Sequence, residues 1–282
     1  MKMRMKFSFI LSLLYCLTLQ SQRVYQPKDS ILLSQKIAAL PDYKSLTLEK
    51  TILAIGKTYL ETPYVEQTLE VAADEPLVIN QQGLDCTTFL ENVLALAHTA
   101  QQDTINWEQF VSTLETIRYR NGIRDGYTSR LHYFTEWIKD NQRKGLVKDI
   151  TNELGGISLE KSINFMGTHR DLYPHLKDND ANYQKILAAE SQLAMEEICY
   201  LPQNKIRKAE ANLQTGDIVA LATNIKGLDV THTGILVKKP NGRIYLLHAS
   251  SKQKKVVLST VPLVDYLKSI KSNIGIIVAR PV

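Results

Sequence analysis

Apolar residues recur at helical spacing in several separate stretches of the chain. In "DCTTFLENVLALAHTA", Phe89, Leu90, Val93, Leu94 and Ala97 form one stripe, which predicts a helix capped by Asp85 with Cys86 in its first turn. "SLTLEKTILAIGKTYLE" predicts an amphipathic helix leading to Thr62-Pro63-Tyr64. "EQFVSTLETI" and "RLHYFTEWIKDN" predict two more, with Arg130 and His132 opening the second, and "KILAAESQLAMEEICYL" predicts another that buries Cys199. The period changes in "VTHTGILVKKPNGRIYLLHASS", where two β-rich runs flank Pro240-Asn241-Gly242 and predict a hairpin.

The turn of that hairpin fixes which side chains share a face. A two-residue Asn-Gly loop would pair Pro240 with Arg243 and put His232 and His248 on opposite faces, because side chains alternate along a strand. Pro240 fits such a turn poorly, since its central residues need positive φ. It suits the first central position of a type I turn, with Gly242 in the left-handed position of a three-residue bulged loop. Lys239 then pairs with Arg243, and both histidines face one side.

The first 22 residues, "MKMRMKFSFILSLLYCLTLQSQ", place Lys2, Arg4 and Lys6 ahead of an apolar run too short to span a bilayer. Residues 1–21 are expected to be a secretory signal peptide cleaved after Ser21, although Leu19 is bulky for its position. An uncleaved anchor is the alternative, and Cys16 would permit a lipid anchor were Tyr15 a small residue. The predicted location is the periplasm or cell envelope. Loss of the peptide leaves 31 basic against 29 acidic residues. That near balance, with charges interspersed, removes the motive for nucleic-acid binding.

Two cysteines then remain, Cys86 and Cys199, in a chain expected to meet an oxidising compartment. A bridge between them is one reading. The other rests on the helix start, where the macrodipole and free amides favour a thiolate, the nucleophilic form. His232 would take the thiol proton and His248 would orient His232. The same three side chains could instead be zinc ligands, but no CxxC or HExxH spacing is present, and neither a metal nor another cofactor is expected.

In order, "LETPYVEQTL", "GLDCTTFLENVLAL", "LQTGDIVAL", "THTGILV", "YLLHASS" and "IGIIVARPV" resemble the NlpC/p60 cysteine peptidases. That resemblance implies an α+β, papain-like core with the catalytic helix packed on an antiparallel sheet, and a Cys86, His232, His248 triad. It also implies roles for Tyr64 as a substrate or oxyanion contact and for Asp85 as cap and substrate contact. The spacing from Cys86 to His232 is long for the family, which points to a helical insertion at about 101–210 within a single domain, 22–282. "IRYRNGIRDGYTSRLHYFTEWI" and "GGISLEKSINFMGTHRDLYPHL" in that segment look like the N-acetylmuramoyl-L-alanine amidase-like branch. Resemblance to that branch implies cleavage of the amide between N-acetylmuramic acid, favoured as the 1,6-anhydro sugar, and L-alanine in released muropeptides.

Without the family, the arginine- and tyrosine-bearing loop of the insertion still offers carboxylate and sugar contacts, with Arg118, Tyr127, Arg130 and His132 as candidates. A solvated connection is its bland alternative. An endopeptidase cutting after γ-D-glutamate in the stem peptide shares all the catalytic parts, and a non-catalytic peptidoglycan-binding module is the reading from another class. The expected partner is a muropeptide, with no protein partner inferred and a monomer expected.

Overall fold

The computed structural model describes residues 23–72 and 74–282; the signal-peptide and Cys16 readings lie outside them. The chain opens with strand β1 (Arg23–Val24), helices α1 (Pro27–Ala39) and α2 (Leu48–Lys57), and β2 (Leu77–Val78), which pairs parallel to β1. Helix α3 (Cys86–Gln101) follows, then α4 (Trp107–Arg118) and α5 (Phe134–Arg143). Next come β3 (Val147–Asp149), β4 (Ile157–Ser158), the one-turn helices α6 (Phe165–Thr168) and α7 (Pro174–Lys177), and α8 (Asp180–Leu193). The chain ends with β5 (Cys199–Pro202), α9 (Gln203–Ala209), β6 (Ile218–Thr223), β7 (Val230–Lys238), β8 (Ile244–Ser250), β9 (Lys255–Leu258), α10 (Leu263–Lys268) and β10 (Asn273–Pro281).

The main sheet has the order β4-β5-β10-β6-β7-β8-β9, with β3 also on β10, and every neighbouring pair is antiparallel. Its central strands bury both faces, which explains near-continuous apolar runs such as Ile218–Leu221. Ile235, Val237, Leu247 and Ala249 belong to the core beneath α2 and α3, whereas Leu236, Ile244 and Leu246 pack with Leu263 and Leu267 of α10. The α+β class and an antiparallel sheet carrying helix α3 are as expected.

Two expectations are corrected. The segment 101–210 is not only helical: it supplies β3, β4 and β5 to the sheet. Helix α8 ends at Leu193, and Cys199 opens β5 half-exposed, because Ala194–Ile198 turn the chain back to pair against β4 and β10. Cys86 and Cys199 are both free thiols. No helix among the described residues is long and apolar enough to cross a membrane.

Candidate active site

Asp85 ends an extended approach and caps α3. Its Oδ1 accepts the Thr88 amide at 2.7 Å and the Thr88 hydroxyl at 2.8 Å, while the Thr88 hydroxyl accepts the Asp85 amide at 3.0 Å. Such reciprocal capping stabilises a helix end by about 1 kcal/mol. It sets Cys86 at the first helical position, where backbone amides have no helical partner. The helix is held on the sheet by Thr233, whose hydroxyl donates to the Cys86 carbonyl at 3.1 Å. The start of α3 is thereby held against Thr233 of β7, the residue after His232. Thr233 and Thr87 are the polar neighbours that oppose the upward shift of the thiol pKa.

The β7-β8 hairpin has the register expected from Pro240. Lys239 and Arg243 are joined by a Lys239 amide to Arg243 carbonyl bond of 3.0 Å, and Gly242 has φ +75°. Val237 opposes Tyr245, and continuing that register sets His248 across from Gly234. Both histidines then share the α10 face, and His232 Nε2 meets His248 Nδ1 at 2.6 Å. Gly234 makes this contact possible: a Cβ there would lie 2.7 Å from Leu246 Cδ1 and 3.1 Å from His248 Cβ. The run His232-Thr233-Gly234 thus combines an imidazole, a hydroxyl that holds the Cys86 carbonyl and the room the second imidazole needs.

Burial governs the charges. It pushes the Cys86 thiol up to about 11, with the Asp85 carboxylate adding repulsion against the hydrogen bonds from Thr233 and Thr87. The expected resting thiolate is thus replaced by a neutral thiol, because loss of water outweighs the helix terminus. Burial holds His232 down at about 4, and burial with repulsion from His232 holds His248 at about 3. The site rests as neutral thiol and neutral imidazoles. Burial also raises the Tyr64 hydroxyl, helped by charge on Cys86 and on acidic residues including Asp85, and the Tyr64 backbone bridges to Leu84, two residues ahead of the cysteine.

These depressed imidazoles set the acid response of the fold. Unfolded histidines take up protons near pH 6.5, whereas these two do so only near 4 and 3. Between those limits the unfolded chain binds more protons, so stability falls as pH falls through the window and rises with pH. His248→Gln is expected to show a smaller loss of guanidinium midpoint between pH 6.5 and 4 than the unmodified protein. Equal pH slopes would remove the buried pair as the cause.

The loop expected to contact substrate is turned inward. Arg118 donates to Glu91 at 2.7 Å and to the Val78 carbonyl at 2.8 Å, and both partners of the ion pair are buried. Arg130 lies between Glu70, at 2.5 Å, and Glu75, at 3.4 Å. Tyr127 stacks on His175 at 24° and meets His132 at a tilt of 43°, each with ring centroids 4.5 Å away, and His132 Nε2 bonds the Tyr127 carbonyl at 2.9 Å. Arg118, Tyr127 and Arg130 are at most 5% exposed. Their charges and rings tie the inserted segment to Glu70 and Glu75, from buried positions rather than an open loop. Nor do Arg130 and His132 open a helix, since α5 begins at Phe134. Among the described residues no group of three or more His, Cys, Asp or Glu is arranged to hold a metal.

Thr233 and Gly234 escaped the reading of single residues, although both stand in the "THTG" run that drew attention to His232. Tyr266 of α10 also reaches the site, its ring centroid 5.3 Å from that of His248; nothing in "LVDYLK" marks it.

Residues 54–276 match the family model described as N-acetylmuramoyl-L-alanine amidase-like. A solved N-acetylmuramoyl-L-alanine amidase from Bacteroides uniformis ATCC 8492 is 40% identical, with a TM-score of 0.78, over 83% of this chain and 99% of that one. A Bacteroides fragilis structure named only provisionally as a xylanase is 42% identical, with a TM-score of 0.75, over 81% and 99%. A Legionella pneumophila protein at 21% identity and a TM-score of 0.67, over 90% and 96%, shares the fold. No curated protein matches.

Proposed function

We propose, on the premise that the chain belongs to the N-acetylmuramoyl-L-alanine amidase-like family, that it hydrolyses the amide joining N-acetylmuramic acid to L-alanine in muropeptides, with Cys86 as nucleophile. The observation that carries this reading is Thr233, next to His232, holding the Cys86 carbonyl at 3.1 Å while His232 turns Nε2 to His248 at 2.6 Å. Nδ1 of His232 is thereby left for the thiol.

With both groups neutral at rest, proton transfer accompanies attack and no stored thiolate is needed. The sulfur bonds the lactyl carbonyl carbon as His232 takes the thiol proton, and the carbonyl oxygen becomes an oxyanion. The Cys86 amide at the start of α3 and the Tyr64 hydroxyl serve as its donors in this reading. Collapse breaks the carbon–nitrogen bond, and His232 returns its proton to the departing alanine amine. Water, deprotonated by His232, then splits the thioester and regenerates the thiol. His248 keeps the His232 ring oriented throughout.

The ordered motifs from Tyr64 to the final strand support placing this core among the NlpC/p60 peptidases, and the inserted segment supports the branch that favours 1,6-anhydro sugars. The basic, apolar N-terminus supports export to the periplasm or envelope, where such fragments are met.

Incubation with reducing-end and 1,6-anhydro muropeptides, followed by mass spectrometry, tests the reading. The expected product is an intact stem peptide beginning with L-alanine, released faster from the anhydro substrate. Cleavage inside the stem would replace the amidase with the endopeptidase, and binding without cleavage would leave a peptidoglycan-binding module.

A further inference from the structure

The proposed chemistry requires one arrangement of protons in the histidine pair, and this inference rests on that reading of Cys86 and His232. To accept the thiol proton, His232 Nδ1 must be bare, so its Nε2 carries the hydrogen. That Nε2–H donates to His248 Nδ1 across 2.6 Å. A neutral His248 that accepts at Nδ1 must carry its own hydrogen on Nε2. His248 is fully buried, and its Nε2 has no hydrogen-bond partner. Against His248 stands Tyr266, with ring centroids 5.3 Å apart and planes at 74°, an edge-to-face arrangement.

We propose that Tyr266 is a positioning residue: its ring face receives the buried Nε2–H of His248 and so holds the pair in the tautomer that leaves His232 Nδ1 bare toward the thiol. The face of an aromatic ring is its negative side and attracts an N–H edge. In the opposite tautomer His248 Nδ1 would carry the hydrogen and donate to His232. A bare Nε2 lone pair would then face the same negative ring, and His232 would hold a hydrogen on Nδ1 where the thiol proton has to go. The ring therefore disfavours the unproductive state and stabilises the productive one. The Tyr266 ring acts through His248 and then His232, while its hydroxyl stands within electrostatic range of Cys86.

The direct test is long-range 1H–15N correlation on the full, histidine-labelled protein near neutral pH, where both imidazoles are neutral. The expected pattern is His248 protonated on Nε2, with that proton shifted upfield by the ring current, and His232 protonated on Nε2. Tyr266→Phe keeps the ring and is expected to keep both the pattern and kcat. Tyr266→Leu is expected to mix the tautomers and to lower kcat about fivefold with KM unchanged, which a general loss of packing would not do selectively. Three results would each overturn the assignment: His248 protonated on Nδ1 in the unmodified protein, an unchanged pattern in Tyr266→Leu, or equal losses in the Phe and Leu variants. Should the Leu variant not fold, the unmodified spectrum and the Phe variant decide the matter. The spectra need no substrate. The expected pattern in a protein without turnover would therefore overturn the amidase reading and leave the Tyr266 assignment standing.

Discussion

Cys86→Ala is expected to lower kcat at least about 10⁴-fold while leaving the fold and muropeptide binding in place. The substitution removes the sulfur and little else. The Asp85 cap bonds Thr88, and Thr233 bonds the Cys86 backbone carbonyl, so neither depends on the thiol. Residual activity would come from the Cys86 amide and from substrate positioning. Steady-state kinetics with the best muropeptide, beside a binding isotherm for the alanine variant, gives the answer. Turnover within tenfold of the unmodified enzyme would mean that another group performs the attack. Loss of binding together with turnover would instead point to a collapsed site.

The second large effect concerns stability. Arg118→Ala is expected to cost about 3–5 kcal/mol, because it strands the Glu91 carboxylate inside the protein. Burial already pushes that carboxyl above its ordinary range, with Arg118 opposing the shift. Without the guanidinium, the carboxyl must take up a proton or admit water. The same side chain ties α4 to the Val78 carbonyl, so the bond from 118 to 78 is lost as well. Removing both charges as Arg118→Met with Glu91→Leu should recover much of the loss, since an apolar pair of similar volume has no desolvation penalty. Guanidinium unfolding of the single and double variants measures this. A single variant within 1 kcal/mol of the parent would show that the pair contributes little.

What could be read in advance follows from range. The Asp85 cap, the stripe of α3 and the Pro240 turn are local, and local stereochemistry was enough to place both histidines on one face. The Arg118–Glu91 and Arg130–Glu70 pairs join residues 27 and 60 positions apart, and nothing near either arginine announces its partner. Arginines in a glycine-containing loop are ordinarily solvated, whereas these two are buried against distant carboxylates. Cys86 is a related case: the helix start beside it is visible in the sequence, whereas the burial that pushes its thiol up comes from the assembled fold.

The segment between α3 and β6 was read as something added to a smaller core, yet β3 and β5 hydrogen-bond directly to β10, the final strand of the chain. Asp229, just ahead of β7, accepts the Thr135 amide at 2.8 Å. Excising the segment would therefore uncover sheet edges and leave Glu70, Glu75 and Glu91 without their counterions. The inserted portion and the half that carries Cys86 and His232 therefore form one folding unit, and a change in either is felt by the other.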